Sequence, residues 1–132
     1  MNMKPQNNEQ IRVLIADDEI EFITTLEARL KLRGFETTAV SSGIAALKAI
    51  EKDPPDVLVL DLKMPDLTGL EVLTKVKEDF PAIEVIILTG HGSFEAGKEG
   101  MEQGAFDYIM KPVDLNKLIT TIEEAYLQGK AA

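Results

Sequence analysis

Asp17 and Asp18, Asp61, Thr89 and Lys111 are the residues of this chain whose types fit a single piece of chemistry. Three carboxylates brought close repel one another, and they stay ionised only with a cation among them or with raised pKa values. Oxygen-only ligands suit a hard ion, and Mg²⁺ takes one or two carboxylates together with waters and phosphate oxygens. A lysine adds a point positive charge and a threonine adds a hydroxyl donor. These are the parts needed to form and hold an acyl phosphate. The carboxylate attacks, while the cation and the lysine offset charge on the phosphoryl oxygens. Taken singly, each residue has an ordinary reading. Asp17 and Asp18 fit a helix N-cap, Asp61 the start of a turn, Thr89 a turn residue and Lys111 a solvated charge. The choice between these readings rests on the elements that position the residues.

Each of these loci follows an apolar run. Ile11 to Ala16 ends in Asp17-Asp18-Glu19. Val57 to Leu60 has no alternation, the pattern of a strand buried on both faces, and stops at Asp61. Pro65 then forbids further strand, and Gly69 lies where a helix would begin. Ile83 to Leu88 ends at Thr89-Gly90-His91-Gly92, and Ala105 to Met110 ends at Lys111-Pro112. Phe35 to Val40, more alternating, is the remaining strand.

Helical stripes lie between the strands. Phe22, Ile23, Leu26 and Leu30 form the first, stopped by Gly34. Ser41 or Ser42 caps the second, with Ala46, Leu47 and Ile50 buried, and Asp53-Pro54-Pro55 breaks it. The third runs from about Thr68 to Glu78, and a weak fourth covers about Phe94 to Gln103. Asp114 caps a last helix carrying Leu115, Leu118, Ile119 and Ile122. Five strands alternating with five helices predict right-handed crossovers and a three-layer, doubly wound α/β fold with a parallel sheet. In such a sheet all the C-terminal strand ends share one edge, where ligands bind, so the chemical residues converge.

Composition narrows the alternatives. At 132 residues one domain is expected, large enough to bury a core without staples. We read residues 1–10 as a disordered extension, 11–128 as the domain and 129–132 as a tail. The absence of Cys excludes disulfides, thiol catalysis and Cys-ligated zinc. No apolar run approaches the roughly 20 residues of a membrane span, and no apolar signal segment opens the chain, so a cytoplasmic location without membrane contact is expected. The formal net charge of −9, from 14 basic and 23 acidic residues, argues against direct nucleic-acid binding.

With these residues in place, the chain resembles the receiver domains of bacterial two-component response regulators from about Ile11 to Leu127. The family's acidic pair matches Asp17-Asp18, followed by Glu19. Its phosphoacceptor matches Asp61, with Met64-Pro65 and Gly69 at the expected offsets. Its switch threonine matches Thr89, its switch aromatic Tyr108, and its lysine-proline pair Lys111-Pro112, a bond that the family typically holds cis. The resemblance implies a flavodoxin-like strand order 2-1-3-4-5. It implies that Asp61 accepts a phosphoryl group from a sensor histidine kinase or a phosphotransfer protein. Asp18, Asp61 and the Lys63 backbone carbonyl would bind Mg²⁺, with Asp17 acting through water. Lys111 would pair with Asp61 and then with the phosphoryl oxygens. Thr89 would move toward the phosphoryl group and Tyr108 turn inward behind it. The surface of the fourth helix, fifth strand and fifth helix would then engage an output partner or a second copy of the chain, and the output would be transcriptional. The Thr-Gly-His-Gly sequence resembles the subgroup whose receivers precede ATPase and DNA-binding output domains.

Some features depart from the family pattern or compete with it. Val113 stands where the family has phenylalanine. Gly97 and Gly100 lie in the fourth helix, each costing about 1 kcal/mol of helix preference relative to alanine. That helix is therefore expected to be the least stable element, and alanine at both positions to stiffen it. His91, the only histidine, is read as an exposed loop residue. A haloacid-dehalogenase-like phosphatase would carry a second Asp two residues after its nucleophile, where this chain has Lys63, so an enzyme acting on other substrates is not expected. A receiver-like interaction module that is never phosphorylated would usually lack an acidic or lysine residue retained here.

Overall fold

The computed structural model describes residues 10–90 and 94–131; the extension before Gln10, and His91, lie outside them. The apolar runs form β1 (Arg12–Ala16), β2 (Glu36–Val40), β3 (Val57–Asp61), β4 (Glu84–Thr89) and β5 (Asp107–Met110). The helices between and after them are α1 (Ile20–Leu32), α2 (Gly43–Lys52), α3 (Gly69–Asp79), α4 (Phe94–Glu102) and α5 (Leu115–Ala131). Every strand pairing is parallel, and the order is β2-β1-β3-β4-β5. This is the doubly wound fold expected from the alternation, in the order the resemblance implies.

Side chains alternate across the sheet and divide the core in two. Val13, Ile15, Val59, Ile86 and Leu88 face one layer, where Ile23, Leu26 and Leu30 of α1 and Leu118 and Ile122 of α5 cover them. Leu14, Leu58, Leu60 and Ile87 face the other, under Ala46 and Ile50 of α2 and Val72, Leu73 and Val76 of α3. Ala96 of α4 and Tyr108 of β5 pack at the margin of this second layer. The β3 strand buries all five of its residues, as its unbroken apolar run requires.

Local signals set the helix ends. The Ser42 side chain accepts from the Ala45 N–H, and Gly34, at φ 94°, takes the left-handed turn after α1. A capping box opens α3, with Thr68 and Glu71 each accepting the other's backbone N–H. Asp114 Oδ1 accepts from the Lys117 N–H at the start of α5.

Two boundaries differ from expectation by more than one residue. Strand β5 begins at Asp107 rather than Ala105, because the Ala105 N–H closes the α4 turn onto the Gly100 carbonyl. Helix α5 continues to Ala131, through residues read as a tail, with Gly129 against the Ala82 carbonyl and Glu84.

Candidate functional site

The strand ends bring the chemical residues together. Asp17 follows β1, Asp61 ends β3, Thr89 ends β4 and Lys111 follows β5. Asp17, Asp18 and Asp61 each offer a carboxylate oxygen within 4.8 Å of the others. Asp17 is fully buried, Asp61 is 7% exposed and Asp18 is open to solvent. Lys111 Nζ lies 2.5 Å from Glu19 Oε1, 2.8 Å from Asp17 Oδ2 and 3.8 Å from Asp61 Oδ1. The same ammonium sits 4.9 Å from the centre of the Phe22 ring, within cation–π range. Lys111 is thus held more closely by the β1–α1 loop than by Asp61.

The electrostatics follow from this crowding. Burial pushes the Asp61 carboxyl up to about 6, the negative charge of Asp17 adds to the rise, and Lys111 and the Lys63 N–H only partly oppose it. Burial pulls the Lys111 ammonium down, but the Asp17 and Glu19 carboxylates outweigh it, and its pKa lies above the usual lysine value. Asp17 Oδ1 accepts the Glu19 N–H at 3.0 Å, while Oδ2 is buried with a charge partner in Lys111 but no aligned hydrogen bond. A hard divalent cation suits this donor set. It would meet all-oxygen ligands, relieve three mutually repelling carboxylates, and approach from the side where Asp18 is exposed. Lys63 joins Asp18, Asp61, Gly90 and Lys111 around the cleft, with its own side chain exposed.

The loop after Asp61 is shaped by close approach. The Gly69 N–H donates to the Leu62 carbonyl at 2.9 Å. A Cβ on Gly69 would lie 2.5 Å from the Asp61 carbonyl oxygen and 2.6 Å from Leu62 Cα, so only glycine fits. Met64 is buried as a plug between the exposed Lys63 and Pro65.

Thr89 is buried, and Tyr108 is half-buried beside it, one strand over. Gly97 of α4 packs against both. A Cβ there would stand 3.1 Å from Thr89 Cγ2 and 3.4 Å from the Tyr108 ring. A Cβ on Gly100 would collide with Ile87 Cδ1 inside the core. This corrects the sequence-based reading of these glycines. They allow α4 to lie close on the sheet, and alanine at Gly100 would force the end of the Ile87 side chain to move, a packing cost set against the gain in helix preference. The peptide bond between Lys111 and Pro112 is cis.

Comparison with known proteins supplies the family. A family model described as the response regulator receiver domain matches residues 13–123. The chain belongs to that family. Among curated relatives, the receiver domain is 34% identical over 119 residues to the transcriptional regulatory protein ZraR of Klebsiella oxytoca, covering 90% of this chain and 27% of that one. It is 37% identical over 113 residues to the DNA-binding transcriptional regulator NtrC of Proteus hauseri, covering 86% of this chain and 24% of that one. The receiver domain therefore spans about a quarter of the length of these relatives. Among solved structures, a receiver domain protein from Clostridium thermocellum superposes with a TM-score of 0.88 at 33% identity, covering 92% of this chain and 98% of that one. NtrX from Brucella abortus, in complex with ADP, gives 0.88 at 30% identity, covering 93% of this chain and 28% of that one.

The receiver domain also holds residues that sequence reasoning did not single out for a role. Glu19 is the nearest partner of Lys111, but as the third acid in a run it carries no distinguishing signal in one dimension. Phe22 reads as one of several α1 core residues, yet its ring faces the lysine. Asp66 carries no signal in sequence beyond its place after Pro65, yet its carboxylate crosses to α2. Among the described residues, no helix is long and apolar enough to cross a membrane.

Proposed function

We propose that this receiver domain is a phosphorylation switch whose acceptor is Asp61. The observation that carries the reading is the placement of a nearly buried Asp61, its pKa raised to about 6, among Asp17, Asp18 and Lys111 at one sheet edge. A sensor histidine kinase or a phosphotransfer protein supplies the phosphoryl group from phosphohistidine. An Asp61 carboxylate oxygen bonds to phosphorus as the P–N bond breaks. The electron pair of that bond returns to the imidazole nitrogen, which takes up a proton.

Asp18, Asp61 and the Lys63 backbone carbonyl would hold Mg²⁺, with Asp17 acting through water. When bound, the ion offsets negative charge on the carboxylates and on the phosphoryl oxygens. Lys111 exchanges part of its hold on Glu19 and Asp17 for the phosphoryl oxygens. Thr89 donates its hydroxyl to the phosphoryl group, and Tyr108 moves into the space vacated. Phosphorylation adds about two negative charges, and that charge biases the two states. The domain acts catalytically only on its own phosphorylation and dephosphorylation.

The readout surface is the face of α4, β5 and α5. Phe94, Met101 and Met110 are exposed there, in keeping with docking of an output partner or a second copy. Similarity to ZraR and NtrC supports a transcriptional output, and a cytoplasmic location goes with that reading. The dehalogenase-like alternative would need an acid where Lys63 stands.

The test is direct. With Mg²⁺ and a small acyl phosphate or phosphoramidate donor, the intact mass should rise by one phosphoryl group. Asp61→Asn should show no rise, and equal labelling of that variant would sink the assignment. Asp18→Ala should weaken Mg²⁺ binding more than Asp17→Ala; the reverse ranking would show the pair misplaced.

A further inference from the structure

Asp66 makes a contact that the phosphorylation reading does not use. It lies five residues beyond Asp61, on an exposed turn, yet its carboxylate accepts three backbone N–H groups. Gly43 donates to Oδ1 at 3.0 Å, Ile44 to Oδ2 at 2.8 Å and Leu67 to Oδ1 at 2.8 Å. The first two belong to the opening turn of α2, more than 20 residues earlier in the chain. Those amides point out of a helix N-terminus and have no partner within the helix, so a carboxylate there is favoured by both hydrogen bonding and the helix dipole. The α2 amides, with that of Leu67, hold the Asp66 carboxyl down at about 2, so it is charged throughout the neutral range.

The same place is closely packed. A Cβ on Gly43 would lie 2.8 Å from Leu67 Cβ and 3.1 Å from Val72 Cγ2. The turn of Asp66 and Leu67 therefore sits directly on the start of α2. The loop from Leu62 to Thr68 is then held twice. Its base is closed by the Gly69 N–H on the Leu62 carbonyl, and its tip is fastened to α2 by Asp66. Lys63 lies between these two holds, on the lip of the cleft beside Asp61.

From this geometry we infer that Asp66 is a positioning residue for the metal and phosphoryl site: it fastens the loop bearing Lys63 to the N-terminus of α2 and so fixes the Lys63 backbone carbonyl relative to Asp61. The inference rests on the proposed Mg²⁺ site and adds to it a residue that touches neither metal nor phosphate. It also makes α2 part of the support of the site. Groups that orient a ligand without touching the metal typically change metal affinity by about 10- to 100-fold when removed.

The experiment titrates MgCl₂ against the whole chain by calorimetry, with amide hydrogen exchange read at Gly43, Ile44 and Leu67. Asp66→Ala should raise the Mg²⁺ Kd by about tenfold, the lower end of that range. It should also speed exchange at those three amides. Asp66→Asn keeps one acceptor oxygen but sets an NH₂ against an N–H, so its loss should be intermediate; it also serves if the alanine variant does not fold. Ser42→Ala is the control. It removes the acceptor of the Ala45 N–H and weakens the same helix without touching the loop. Its Mg²⁺ Kd should match that of the unaltered chain. The inference is overturned if the Asp66 variants bind Mg²⁺ like the unaltered chain, or if Ser42→Ala weakens binding as much as Asp66→Ala. If the unaltered chain itself binds no Mg²⁺, the functional reading falls and takes this inference with it.

Discussion

Helices α3 and α4 cover neighbouring parts of the same sheet face and are held there in opposite ways. Helix α3 buries Val72, Leu73 and Val76 and opens with a complete capping box. Helix α4 buries only Gly97 and Gly100, and its large apolar side chains, Phe94 and Met101, face outward at 58% and 37% exposure. One helix is anchored by side chains that lose their water. The other is admitted by the absence of side chains, and its hold is the close fit of backbone on Ile87, Thr89 and Tyr108. Such a fit gives little transfer energy, because little apolar area leaves water. It is nevertheless sensitive to small displacements of Thr89 or Tyr108. The difference separates a supporting helix from one that can report on the site, since regions that move in allostery come from the low-stability end.

The comparison can be broken by substitution. Leu73→Ala in α3 should cost about 3 kcal/mol in urea unfolding, the cost of a buried leucine and its cavity. A loss below about 1 kcal/mol would show that α3 is not anchored as described. Asp61→Asn, at the end of β3, should act in the other direction. The Asp61 pKa is raised in the fold to about 6 from 3.8, so its contribution to stability is fully present below about pH 4 and is lost as pH rises through 6. Without metal at pH 7 to 8, the asparagine variant should gain on the order of 2 kcal/mol, and the gain should vanish near pH 4. A constant difference across that range would remove the carboxylate as the cause.

Gly100→Ala sharpens the α4 side. Helix preference alone would add about 1 kcal/mol of stability. Overpacking against Ile87 typically costs 1–3 kcal/mol, so we expect a net loss of about 1 kcal/mol. A net gain would restore the view of a merely frayed helix. Met101→Ala should change stability by less than about 0.5 kcal/mol, since the side chain is largely exposed. Its effect should appear instead in association through the α4, β5 and α5 face after phosphorylation, measured by light scattering.

Much of this was legible in one dimension. Apolar runs broken by Gly, Pro and acids disclosed every strand and helix, because burial on both faces leaves an unbroken run and a helix leaves a stripe. Asp17, Asp18, Asp61, Thr89 and Lys111 converge because parallel strands share one loaded edge. What escaped notice depends on contacts between distant pieces. The hydrogen bonds of Asp66 to Gly43 and Ile44 span more than 20 residues and leave no periodic trace. Gly97 and Gly100 look like helix breakers until the sheet beneath them is known, since the reason for a missing Cβ lies in another segment. That Glu19 shares Lys111 with Asp17 shows only once the fifth strand brings the lysine to the end of the first.

The strand order has a consequence for how the chain is made. Strand β1 is made before the other four strands of this sheet, yet it lies inside the sheet, between β2 and β3. A nascent chain extending through α2 can pair β1 with β2 but leaves the other edge of β1, an apolar Val13-Leu14-Ile15-Ala16, with open backbone groups. Such an edge invites pairing with other chains. It is closed only when Val57 to Leu60 arrive, and the next residue to emerge is Asp61. The segment that ends the aggregation hazard during synthesis thus also delivers the central carboxylate.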